Sequence, residues 1–174
     1  MNKDKLLLDY NGRSLLQRAV DLMSELPVYE RILVTVKNKP ECVNIPPDMR
    51  VCINTNPESG LSSSVRLGVV VATGTHFLFL NADQPRLTLI DLLPVIKVAE
   101  ENPDKIIYPV INSKPVTPTL FPEIFKPDLM SLSGDTGGRH VRDKYKKSNQ
   151  TIKPENPGNF KDIDTEEDLI NYDK

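Results

Sequence analysis

Chemistry in this sequence is concentrated in a few short stretches. In Leu80-Asn-Ala-Asp-Gln-Pro85 a carboxylate, Asp83, follows the apolar run His76-Phe-Leu-Phe-Leu-Asn81, and Pro85 stiffens the chain's departure. Open parallel sheets bind ligands outside the carboxyl ends of their strands. A carboxylate in that place suits Mg²⁺, which takes few protein carboxylates directly and fills its shell with water and phosphate oxygens. Asp83 also reads as a turn aspartate bonding its own backbone. In Lys161-Asp-Ile-Asp-Thr165, Asp162 and Asp164 flank an apolar residue at strand period, so both point the same way if the segment is a strand. Equally, Asp164 complements the dipole of a helix opening after Thr165. In Asn56-Pro-Glu-Ser-Gly-Leu-Ser-Ser-Ser-Val-Arg-Leu-Gly68, Gly60 precedes a helix start carrying Ser62, Ser63, Ser64 and Arg66. Free N–H groups, small hydroxyls and a guanidinium gathered there fit an anion or a nucleotide, and a serine-rich cap explains them as well.

Composition narrows what these groups can be. The only histidines, His76 and His140, are far apart and have no companion ligand, which argues against zinc and against a Ser-His-Asp triad. Cys42 and Cys52 lie outside any Cys-x-x-Cys or metal-ligand spacing and read as reduced thiols. Lys and Arg number 22 against 24 Asp and Glu, a balance that does not favour nucleic acid. The basic cluster Arg142, Lys144, Lys146 and Lys147 reads as a solvated helix face. No apolar stretch approaches the roughly 20 residues needed to cross a bilayer, and a cytoplasmic protein is the default expectation. A chain of 174 residues that is 39% hydrophobic is expected to fold as one domain over residues 1–174.

The elements that must position these residues follow from local signals. Ser14-Leu-Leu-Gln17 reads as a capping box opening a helix to about Glu25, and Thr88-Leu-Ile-Asp91 as another, with Leu92, Leu93, Ile96 and Ala99 on the inner face of a helix to about Glu101. Thr165, with Asp168 three positions on, caps a last helix. Strands are expected at Arg31–Val36, Arg50–Asn54, His76–Asn81, Lys105–Val110, Thr117–Phe121 and Phe160–Ile163, with His76–Asn81 the fully buried one. Ser62 or Ser63 is expected to cap a helix with the apolar stripe Val65, Val69, Val70. Pro122–Ser131 and Gly137–Lys147 are the remaining expected helices. Strands alternating with helices imply crossover units, hence a three-layer α/β/α fold with a mainly parallel, doubly wound sheet.

Taken in order, Lys5-Leu-Leu-Leu8, Gly12, Gly60–Gly68, Ala82-Asp-Gln-Pro85, Pro118–Phe121, Ser133-Gly-Asp-Thr-Gly-Gly-Arg139 and Asp162-Ile-Asp-Thr-Glu-Glu-Asp-Leu169 resemble the molybdenum cofactor cytidylyltransferases, within the MobA-like nucleotidyltransferases. The resemblance runs over almost the whole chain. It implies transfer of a nucleotidyl group from CTP, with Mg²⁺, to the terminal phosphate of a pterin cofactor, releasing pyrophosphate. It also implies Asp83 and Asp164 as metal positions, and Gly60, Ser62, Ser63, Ser64 and Arg66 as lining base and ribose. Lys5 would be the lysine that neutralises phosphate and, with Asp83, belong to the catalytic set. A molybdoenzyme or a maturation factor is the implied protein partner. Phosphoryl transfer suits such a set, since it depends on cations and donors that position and neutralise phosphates.

The sequence departs from the pattern at its start. The family opens with a strand and a glycine-rich loop of the form LAAGxSxRMGxxK; Met1-Asn-Lys-Asp-Lys5 matches its last five positions, with Asn2 in place of the final glycine. Either the natural chain extends further upstream, or the protein is shortened and its activity impaired. In the family arrangement the strands Arg31–Val36 and His76–Asn81 would flank that first strand. Val116 stands where the family often has a glycine beside the acceptor pocket. The same residues are compatible with a non-catalytic descendant that binds a pterin or a partner enzyme, and with a guanylyl- or sugar-nucleotidyltransferase.

Overall fold

The computed structural model describes residues 4–37 and 39–171, so the match of Met1–Lys3 to the loop pattern lies outside the described residues. A short hairpin, β1 (Asp9–Tyr10) with β2 (Arg13–Ser14), precedes the first long helix. Asn11 and Gly12 at its tip have φ of 53° and 80°, the backbone that a two-residue hairpin turn needs to match strand twist. Helix α1 (Leu15–Glu25) starts where Ser14 accepts from the Gln17 N–H at 3.1 Å. The expected capping box is half made: the Gln17 side chain bonds Asp21 and the backbone of Asn44 instead of returning to Ser14.

β3 (Arg31–Thr35) pairs in parallel with β4 (Met49–Ile53), with Arg31 opposite Met49. Leu16 and Val20 of α1 pack on Leu33 and Met49 of this pair. The next helix, α2 (Leu61–Val71), is capped by Gly60; Ser62 and Ser63 lie inside its first turn and are buried, which corrects the expected serine cap. Val65 and Val69 form its buried stripe, whereas Val70 is 57% exposed.

β5 (His76–Phe79), α3 (Leu89–Glu101) and β6 (Ile106–Ile111) follow. The capping box at Thr88 and Asp91 is complete. The inner face of α3 is Leu92, Val95 and Ala99; Leu93 faces outward. After β6 the chain reverses at Asn112 and Ser113, both at positive φ, into β7 (Lys114–Pro115). It then returns as β8 (Thr119–Pro122), antiparallel to both β5 and β6. The mainly parallel sheet is thereby corrected to a mixed one. A connection this short holds no crossover helix, so the returning strand must be antiparallel.

α4 (Lys126–Met130) and α5 (Arg139–Lys144) lead to β9 (Asn149–Ile152), parallel to β6, and the chain closes with α6 (Glu166–Asn171). β9 has no counterpart in the sequence reading. The strand expected over Phe160–Ile163 is absent: Pro157–Phe160 is a 3-10 turn and the chain is irregular to Asp164.

Period-two alternation sets the layers of the mixed sheet. Phe77, Ile106, Tyr108 and Phe121 face α2, α4 and α5, packed against Val65, Val69, Leu129 and Val141. Leu78, Ile107 and Leu120 face Val95 and Ala99 of α3. The sheet is therefore covered on both faces. Among the described residues β3 and β5 fall in separate sheets and each pairs along one edge only. For β5 this leaves Phe77 alone fully buried, against the expectation for that strand. Nor is the basic cluster all solvated. Arg142 is 7% exposed, its guanidinium 4.9 Å from the Tyr108 ring centre, because a flat, weakly hydrated cation is buried against a ring at less cost than a strongly hydrated ammonium. No helix among the described residues is long and apolar enough to cross a membrane.

Candidate active site

Asp83 sits just beyond the carboxyl end of β5, and the irregular stretch before α6 is laid against it. The Ile163 N–H donates to the Asp83 carbonyl at 2.8 Å, fixing Asp164 next to Asp83 through the main chain. The Ile163 side chain is fully buried with Tyr10 and Leu15, which anchors this stretch to the first hairpin and α1. Thr165 then caps α6: its N–H and hydroxyl donate to Asp168, whose own N–H returns to the Thr165 hydroxyl.

Lys5 closes the arrangement. It lies in a 3-10 turn whose Asp4 cap accepts from the Leu6 N–H, and its Nζ donates to Asp83 Oδ2 at 2.9 Å and to Asp164 Oδ1 at 3.0 Å. Lys5, Asp83 and Asp164 are thus brought together by elements from the start, middle and end of the chain. Burial works to lower the Lys5 pKa, but the hydrogen bonds and charges of Asp83 and Asp164 outweigh it and hold the ammonium above its ordinary value.

The second oxygen of Asp83, Oδ1, is buried and has no hydrogen-bond partner. A buried carboxylate oxygen without a donor is costly. It is also what a hard divalent cation takes as a ligand, and Asp83 with Asp164 supplies the one or two carboxylates that Mg²⁺ uses. The donor set therefore fits the ion; no cluster of three or more His, Cys, Asp or Glu ligands exists among the described residues. Asp162 stands beside the pair. Desolvation, then the negative charge of Asp83, raise its carboxyl above the usual range, while a hydrogen bond from Gln84 opposes them.

Gln84 links the acids to a cavity. Its side chain is buried, and Nε2 donates to the carbonyls of Phe160 at 2.9 Å and Thr117 at 3.3 Å. Ile111, Asn112, Lys114, Val116, Phe160 and Lys161 line a cavity of about 300 Å³ there. Its floor is apolar and its cations are lysines.

Gly60, Ser62, Ser63, Ser64 and Arg66 form a second cluster at the start of α2, built on different partners. Asn54, buried at the end of β4, donates to the hydroxyls of Ser63 at 2.7 Å and Ser64 at 2.9 Å. Ser63 in turn donates to the Gly60 carbonyl, and Arg66 to the Leu132 carbonyl. The loop Ser133–Arg139 closes on this helix end: the Leu61 N–H donates to Asp135 at 3.3 Å and the Ser62 N–H to the Gly134 carbonyl at 3.2 Å. Gly60 has φ of 81°, and a Cβ there would stand 2.5 Å from the Gly134 carbonyl carbon. The glycine is required by conformation and by contact alike. Many of the donors that suggested an anion site are engaged within the protein.

Asn54 was not singled out from sequence, and Gln84 and Asp135 stood in quoted motifs without a role of their own. A polar residue at a strand end and a glycine pair in Ser133–Arg139 were the available signals, and neither says which distant segment it meets.

The comparisons with known proteins agree with this architecture. No match to a curated protein is found. Rv0371c from Mycobacterium tuberculosis H37Rv superposes with a TM-score of 0.80 at 17% identity, covering 98% of this chain and 89% of that one. The structure of Rv0371c in complex with manganese gives 0.74 at 17% identity, covering 98% and 92%. A CMP:2-keto-3-deoxy-manno-octonic acid synthetase complexed with CTP gives 0.74 at 12% identity, covering 96% and 89%. The family model for the MobA-like NTP transferase domain matches residues 1–149, a span that holds Lys5, Asp83 and the loop closing on Gly60. With that match over most of its length, the chain belongs to the MobA-like NTP transferase family.

Proposed function

We propose that this protein transfers a cytidylyl group from CTP to the terminal phosphate of a small molecule carrying a flat ring, a phosphorylated pterin being the reading that the motifs favour. The observation that carries it is the meeting of Asp83 and Asp164 on Lys5, with a buried, unpartnered Asp83 oxygen beside them. In the reaction an oxygen of the acceptor phosphate forms a bond to the α-phosphorus of CTP, the bond from that phosphorus to the bridging oxygen breaks, and pyrophosphate leaves with the electron pair. A Mg²⁺ held by Asp83 and Asp164 would supply charge neutralisation on the phosphate oxygens. Lys5 offers its ammonium to the polyphosphate, where charge builds on the leaving group. The lysine-rimmed cavity beside Gln84 suits the acceptor: Ile111, Val116 and Phe160 give an apolar surface for a ring, and Lys114 and Lys161 a cationic rim for its phosphate. The similarity to a synthetase complexed with CTP supports cytidine as the base.

The test is pyrophosphate release from CTP, GTP or ATP with Mg²⁺ and a phosphorylated pterin. Release with CTP that is lost in Asp83→Ala supports the assignment. Release with GTP alone would move it to guanylyl transfer, and none with any nucleotide would favour a binding role.

A further inference from the structure

An ammonium between two carboxylates occupies the ground that a divalent cation would claim. Lys5 Nζ lies 2.9 Å from Asp83 Oδ2 and 3.0 Å from Asp164 Oδ1, so each acid already has a counter-charge. The Lys5 side chain is 37% exposed, on the solvent side of an Asp83 side chain that is only 18% exposed. The buried oxygen that remains without a partner, Asp83 Oδ1, is the one the ammonium does not serve. A metal ion that took both Asp83 and Asp164 as direct ligands would enter the space that the nitrogen fills, and its charge would repel the ammonium.

Resting on the metal reading of this site, we propose that Lys5 is its resident cation, which a divalent ion must displace, and that the displaced ammonium is thereby freed for polyphosphate. The two events are then linked. The metal is held weakly until Lys5 has another anion to bind, and a polyphosphate that takes up Lys5 opens the carboxylates to the metal. By reciprocity the metal strengthens the hold of Lys5 on phosphate by the same factor. Lys5 acts here as a positioning residue, timing access to the acids.

The experiment uses Mn²⁺ alone, without nucleotide, followed by loss of the free-ion electron paramagnetic resonance signal. Lys5→Met keeps the length of the side chain and removes its charge, and is expected to bind Mn²⁺ on the order of tenfold more tightly than the wild type, a usual size for coupled binding events. Lys5→Arg, which keeps the charge, is expected to stay weak. In metal-free buffer Lys5→Met is expected to melt lower than the wild type and to be raised further by Mn²⁺. Lys5→Met binding Mn²⁺ no tighter than the wild type, with binding still lost in Asp83→Asn, would overturn the displacement and leave the metal site standing. Binding that survives both Asp83→Asn and Asp164→Asn would remove the metal site and the displacement with it. A readout on the wild type covers a Lys5→Met that fails to fold: Mn²⁺ is expected to speed acetylation of Lys5 several-fold, read by peptide mass, and an unchanged or slower rate would count against the proposal.

Discussion

Asp83 uses its two carboxylate oxygens differently, one accepting from Lys5 and the other buried with nothing to accept from. Replacing it by asparagine keeps the shape and removes the charge that holds Lys5 and, under the proposed function, the divalent ion. Asp83→Asn is expected to remain folded and to lose about a hundredfold or more of its pyrophosphate release, the usual loss when one electrostatic contact to a transition state is removed. Asp128 shows a different kind of charge pairing. Lys144 donates to it at 2.6 Å and Tyr145 at 3.1 Å, and the Lys144 hydrogen bond, more than any other influence, holds its carboxyl below the usual range. Since the folded pKa is the lower one, this carboxylate stabilises the fold above the unfolded value of about 3.9. That stabilisation disappears as pH falls through the folded value. Thermal melts from neutral to acid pH are expected to show Asp128→Asn melting lower than the wild type at neutrality, with a shallower acid limb.

At the scale of elements, the stretch before α6 has no regular structure of its own, and Ile163 holds it. Ile163→Ala leaves a cavity against Tyr10 and Leu15 and is expected to cost about 2–5 kcal/mol in urea unfolding. It should also weaken Mn²⁺ binding, although Ile163 touches no ligand, because Asp164 is placed by its neighbour. Ile163→Val, costing about 0.5–1.5 kcal/mol, should retain most of that binding. Helix starts were legible in the sequence where the signal is local: Ser14, Thr88 and Thr165 all cap helices, although at Ser14 only half of the expected box forms. The start of α2 was misread because Gly60 is fixed by Gly134 across the fold, which no local window contains. β8 was expected as a strand over Thr117–Phe121, but its antiparallel direction was missed for a related reason. The reversal before it turns on Asn112 and Ser113 at positive φ, which are not the glycines that announce such a backbone. Within the site, the places of Asp83 after a strand and Asp164 before a helix also fitted a turn and a helix start, and only the family resemblance set the two together. That both would bond one lysine is a property of the assembled chain.

For the molecule as a whole, the division of the strands between separate sheets is the dominant fact. β3 and β5 each carry backbone N–H and C=O groups along an edge without a ladder partner among the described residues. Open strand edges are templates for further pairing. Sedimentation velocity across a range of concentrations is expected to show reversible self-association, and a monomer at every concentration would mean that these edges are covered. The Lys5 to Asp164 contact has a separate consequence, for when the protein becomes competent. That ion pair joins positions 159 apart, and the Lys5 to Asp83 pair positions 78 apart. Contacts of such separation close late, after their loops have been ordered. A ribosome makes Lys5 and Asp83 before Asp164, so a nascent chain already holding the first two of these groups has no finished site. Under the proposed function, capacity to hold a metal ion reports that Lys5, Asp83 and Asp164 have met, and a chain stalled before Asp164 is expected to take up neither metal nor nucleotide.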